Sequence, residues 1–173
     1  MAHKNLAGAG MVRGSLLDIS FRVSPRTQYA FTIFELLLVV AIFGILTAIA
    51  IPGYQRYQDQ ARIVRAKADI VMIESALERY YAKYSTFPDT LAQAGVGAML
   101  DPWGHPYQYL NIATAKGKGS VRKDHNLVPI NSDYDLYSMG KDGKSQPPLT
   151  AKASRDDIIR ANNGQFVGLA ADY

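Results

Sequence analysis

FTIFELLLVVAIFGILTAIAIPGYQ, residues 31–55, opens on a phenylalanine, carries one glutamate at Glu35 and then runs apolar to Ile51. As a helix, residues 31–51 would span about 31 Å, the thickness of a bilayer core. A chain of 173 residues can hardly surround such a helix with apolar partners on every side, so a buried soluble helix is a poor reading. Two readings remain. The run is a cleaved secretory signal ending in the small-x-small triplet Ala48-Ile49-Ala50, or it is retained as the first half of a longer helix.

The residues that follow favour retention. Past Pro52 and Gly53 the chain runs to Tyr84 without another glycine or proline. Apolar residues fall at Ile63, Ile70, Ile73, Leu77, Tyr80 or Tyr81, and Tyr84, tracing one face of a helix. The expectation is one helix over residues 31–84, apolar all round in its first half (31–52) and amphipathic in its second (53–84). Pro52 and Gly53 at the join predict a kink or a local loss of helix.

Composition narrows the function. The net charge of +4 is carried mostly by residues 1–30, where Lys4, Arg13, Arg22 and Arg26 face Asp18; the rest of the chain is close to neutral. No nucleic-acid surface follows from that balance. Cysteine is absent, which removes disulfides and thiol chemistry. His3, His105 and His125 stand apart, and no nucleophile elbow, P-loop or HExxH motif is present. No catalytic residue is assigned and the chain reads as a non-enzyme. Arginines flank the apolar run on both sides, so charge does not orient it.

The stretch from Phe31, with Glu35 and Pro52, resembles the N-terminal signature of type IV pilins and of the pseudopilins of type II secretion. Farther on, DPWGHPYQYL (101–110) and YDLYSMGKDG (134–143) resemble the C-terminal domain of the major, G-type pseudopilin. The resemblance covers residues 31 to about 158. It implies that residues 1–30 are a leader removed by a prepilin peptidase between Ala30 and Phe31, with N-methylation of the new Phe31 amine. Ala30 stands where the family has glycine, and Met11 is an alternative start. It further implies that Glu35 pairs with the N-terminal amine of a neighbouring subunit, and that Pro52 is the family's helix-kinking proline. The expected product is a homo-oligomeric periplasmic filament, a pseudopilus. Its subunits are single-pass in the bacterial inner membrane with the C-terminal domain periplasmic. The expected partners are the peptidase, minor pseudopilins and an inner-membrane assembly platform. The rivals are a pilin or minor pilin of a surface fibre, and a soluble periplasmic protein released after Ala50.

Residues 85–173 read as the periplasmic part of an α+β fold: a small antiparallel sheet of three or four strands on the lower half of the long helix. Tyr107, Tyr109 and Asn111 fall on one strand face. Tyr134, Leu136 and Ser138 alternate with Asp135, Tyr137 and Met139 as in a half-buried strand. KGKGSVRKDHN (116–126) reads as a polar, flexible arm and GQFVGLAADY as a last strand. Asp142, Asp156 and Asp157 lie on irregular backbone and offer oxygen ligands of the kind calcium takes. The resemblance implies calcium held by those carboxylates and a main-chain oxygen near Met139. A second reading has Asp142-Gly143 as turn chemistry and Ser154 with Asp157 as a capping box opening a helix at DDIIRANNG.

Overall fold

A computed structural model describes residues 30–117 and 119–173; the leader proposed for residues 1–30 lies outside them but for Ala30. The described residues divide into two compact units, the first ending at residue 43 and the second running from 44 to 173. One helix, α1 (Ile33–Tyr84), runs on through Pro52 without a break in its assignment. The expected loss of helix at the join is therefore not seen. Ser85, with φ of 58°, ends the helix in the left-handed region, and its N–H donates to the Tyr81 carbonyl at 2.7 Å.

Four strands follow: β1 (Gln108–Asn111), β2 (Tyr134–Ser138), β3 (Ile158–Ala161) and β4 (Phe166–Leu169). They form an antiparallel sheet in the order β1-β2-β3-β4. The architecture is the α+β arrangement expected, with the sheet packed on the second half of the helix. Ala66, Ile70, Ile73 and Leu77 of α1 meet Tyr107, Tyr134, Leu136 and Ile158 in one core. These are the 3-and-4-spaced positions of the amphipathic half, so the periodicity and the packing describe the same face.

Three local expectations are corrected. The residues after Asp157 form β3, not a capped helix: Ile158 and Ile159 pair with Ser138 and Tyr137 on one side and with Leu169 and Gly168 on the other. Ser154 instead accepts a hydrogen bond from Gln146 N at 2.9 Å and donates one to Gln146 O. Strand β2 is not half-buried, because a second apolar cluster of Ile130, Leu149, Ile159, Ala161 and Ala170 covers the opposite sheet face, with Tyr137 packed against it. The third correction concerns the segment read as a flexible arm, where Val121 and Arg122 are buried.

Candidate functional site

The start of the helix is built by its own sequence. The Thr32 hydroxyl accepts a hydrogen bond from Glu35 N at 3.2 Å, and the Thr32 carbonyl accepts from Leu36 N at 3.2 Å. Thr32 is thus the N-cap and Glu35 the third helical residue, the Thr-x-x-Glu spacing of a capping box. This device was present in the sequence and the motif reading passed over it. It places the Glu35 carboxylate in the first turn, where the exposed N–H groups favour negative charge. Ala30 and Phe31, at the expected cut, are both exposed. They precede the cap and lie outside the helix, which leaves both residues of that peptide bond exposed.

Beyond the cap, Ile33, Phe34, Leu36, Leu37, Leu38, Val39, Val40, Ile42 and Phe43 are all exposed, Ile33 at 81%. From residue 44 the same holds for Ile45, Leu46, Ile49 and Ile51. So much contiguous apolar surface is a binding surface, for lipid or for other chains. This helix is long and apolar enough to cross a membrane, and its most apolar window has no residue buried within the chain.

The amphipathic half adds a second apolar stripe. Tyr54, Tyr57, Ala61, Val64, Ala68 and Val71 recur at steps of three and four, and all are exposed. Ala61, Val64, Ala68 and Val71 each lie two positions before a residue of the sheet-facing series Ile63, Ala66, Ile70 and Ile73. At 100° per residue the stripe is therefore on the far side of the helix from the sheet. Such spacing suits a helix–helix seam. Val64→Glu is expected to leave the melting temperature within about 2 °C, since surface changes stay near 0.5 kcal/mol, while strongly reducing self-association. Thermal melts and analytical ultracentrifugation check the two halves separately.

In the second unit, the two stretches that carried the resemblance are brought together. Asp101 Oδ1 accepts from Trp103 N at 3.0 Å and from His105 N at 2.8 Å, while Oδ2 accepts from the Ser138 hydroxyl at the end of β2. Asp101 caps the backbone of that turn. The His105 ring lies against Gly143, where a Cβ would stand 2.7 Å from Nε2. Gly140 is closer still to its neighbour, for a Cβ there would be 2.2 Å from the Asp156 carbonyl oxygen. Both glycines have positive φ, 64° and 66°. Side chains are excluded at both for steric and conformational reasons.

The acidic residues of the loop are only partly gathered. Asp142 Oδ1 accepts from Lys144 N at 2.8 Å, and Asp142 N donates to Asp156 Oδ2 at 3.1 Å. The first is a turn bond, the second ties the turn to a residue fourteen positions on, and Asp142 is exposed. Met139 follows directly on β2. Asp157 points elsewhere: its side chain is fully buried and pairs with Arg122 Nη2 at 2.7 Å. Burial pushes the Asp157 carboxyl up to about 6, with the Ser145 hydroxyl and the Arg122 guanidinium pulling it back. Among the described residues, no group of three or more His, Cys, Asp or Glu side chains is arranged to hold a metal ion. The donor set as it stands does not fit calcium, because one of its three carboxylates already serves a guanidinium.

Comparison with known proteins gives a consistent result. Residues 25–51 match the family model described as a prokaryotic N-terminal methylation motif. The type II secretion system core protein G of Pseudomonas aeruginosa is 34% identical over 142 residues, covering 69% of this chain and 87% of that protein. That of Dickeya chrysanthemi is 30% identical over 143 residues, covering 80% and 90%. The type IV major pilin protein PilE of Neisseria gonorrhoeae is 38% identical over 144 residues, covering 78% and 83%.

Proposed function

We propose, from the premise that this chain belongs to the type IV pilin-like family on the branch of type II secretion system core protein G, that it is the major structural subunit of a pseudopilus. The observation that carries the reading is the exposed first half of α1, apolar but for Glu35 and Thr47, behind a Thr-capped start. The subunit waits in the inner membrane on this helix with the four-stranded domain on the periplasmic side. A prepilin peptidase removes residues 1–30, and the apolar helix passes from lipid to the centre of a filament of identical subunits. Minor pseudopilins and an inner-membrane assembly platform are the further partners of this scheme. The work is mechanical, and no catalytic step is assigned to the chain.

In such a filament the new amine of Phe31 and the Glu35 carboxylate of adjoining subunits neutralise each other. A carboxylate next to hydrocarbon is costly alone and is relieved by an opposite charge. Intact-mass analysis of the membrane-extracted protein should show loss of residues 1–30, with one methyl group on Phe31. A mature chain beginning at Ile51 would instead assign the run to signal peptidase and remove the scheme.

The resemblance to a Neisseria pilin supports a second reading, a subunit of a surface fibre. Deleting the gene in the host separates the two. A pseudopilin's loss leaves secreted proteins in the periplasm with surface fibres intact, and a pilin's loss does the reverse.

A further inference from the structure

We infer that the C-terminal loop of this protein is closed by its own cation, the Arg122 guanidinium, in place of a bound metal ion. The inference stands apart from filament assembly and concerns only residues 121–157. Arg122 is 2% exposed. Its Nη1 donates to Ser145 Oγ at 2.6 Å and to the Gln146 carbonyl at 2.7 Å, and its Nη2 donates to Asp157 Oδ2 at 2.7 Å. A carboxylate, a hydroxyl and a main-chain carbonyl on one positive centre is the kind of oxygen set a hard cation collects. Here a guanidinium serves it through Nη1 and Nη2, while its Nε is buried without a hydrogen-bond partner.

The partners are tied to one another and to the sheet. Ser145 Oγ donates to Asp157 Oδ2 at 2.6 Å, closing the set on itself. The guanidinium lies 4.3 Å from the centroid of the Tyr137 ring on β2, in cation–π contact. The backbone holds Arg122 in place: its N–H donates to Asp135 Oδ2 at 2.6 Å, and Lys123 bridges in parallel to Pro148. One side chain therefore joins the segment before β2, strand β2 itself, the loop at 145–146 and the residue that leads into β3.

The charge account agrees with the geometry. Asp157 sits at the loop's base with no exposure, where an unpaired carboxylate would be expensive and a guanidinium neutralises it. Asp142 and Asp156 keep contact with solvent and with backbone N–H groups, and need no cation. One oxygen, Asp157 Oδ1, is buried without a hydrogen-bond partner. It is the atom through which an added cation would declare itself.

The test uses the full chain in detergent micelles, melted in millimolar calcium chloride and in chelator. The inference predicts melting temperatures within about 2 °C of each other, since a bound stabilising metal at a hundred times its dissociation constant would shift them by several times that. Arg122→Gln should melt about 10 °C or more lower, and protease cutting within 143–155 should become fast. Arg122→Lys, which keeps the charge and loses the fork, should fall between. A large rise of the unmutated protein in calcium overturns the inference, and so does an Arg122→Gln protein that melts like the parent. If Arg122→Gln does not fold, the calcium comparison on the parent chain and the Arg122→Lys melt still decide.

Discussion

Arg160→Ala should lower the stability of the folded domain by about 3 kcal/mol, at the lower end of what breaking a buried ion pair costs. Arg160 lies on β3 with only 2% of its side chain exposed, and it joins three parts of the fold. Nε donates to Glu74 on α1 at 2.8 Å, while Nη1 and Nη2 donate to the two oxygens of Asp133 at 2.9 and 2.8 Å. Its guanidinium also lies 4.1 Å from the centroid of the Tyr134 ring. Removing it strands two carboxylates that are about a fifth exposed, so water relieves part of the loss and the lower figure applies. The chain's one tryptophan, Trp103, packs against the same core, and its fluorescence can follow unfolding in denaturant. Arg160→Lys should recover less than half, because a lysine cannot bond both oxygens of Asp133 and Glu74 together. A loss under about 1 kcal/mol in Arg160→Ala would mean that apolar packing alone holds β3 to the helix.

Arg160 also shows why part of this protein is legible in sequence and part is not. The helix is written locally: an apolar run of bilayer length, then apolar residues at steps of three and four, with Ser85 at its end. The alternation in residues 134–138 marks β2, and Tyr107, Tyr109 and Asn111 mark the strand face that meets the core. The pairings of Arg160 with Glu74 and of Arg122 with Asp157 span 86 and 35 positions. No periodicity connects residues so far apart. Arg122 was further hidden because its neighbours are lysines, glycines and a serine, the composition of a solvated arm, although Val121 beside it is the apolar residue that anchors the segment. Asp157 offers itself in the sequence as a metal ligand because a loop carboxylate can face either a metal or an arginine, and the Arg122 that pairs with it lies too far off in sequence to be seen beside it. At Ile158 and Ile159 the capping-box spacing was present without a helix after it. Two β-branched residues between paired strands were drawn into the sheet, and propensity gave way to tertiary context.

Glu35→Gln should fold as the parent does, remain in the membrane and fail to polymerise. Glutamine serves as well as glutamate at the third position of a capping box, so the Thr32 cap and the start of α1 are retained. What is lost is the negative charge. In the filament the Phe31 amine of an adjoining subunit would then be desolvated without a counter-ion, and such a loss is worth about 3–5 kcal/mol at a buried pair. At about 1.4 kcal/mol per tenfold, that is a hundredfold or greater weakening of each subunit contact, and a filament needs many such contacts in series. Glu35→Ala removes the whole polar side chain with the charge but keeps the backbone N–H that donates to Thr32 Oγ1, and it should polymerise no better than Glu35→Gln. Quantifying sheared filaments against membrane-bound subunits for the two variants separates the roles. If Glu35→Gln makes filaments at the parent yield while Glu35→Ala does not, a polar side chain at this position suffices without its charge, and the ion pair between subunits has to be given up.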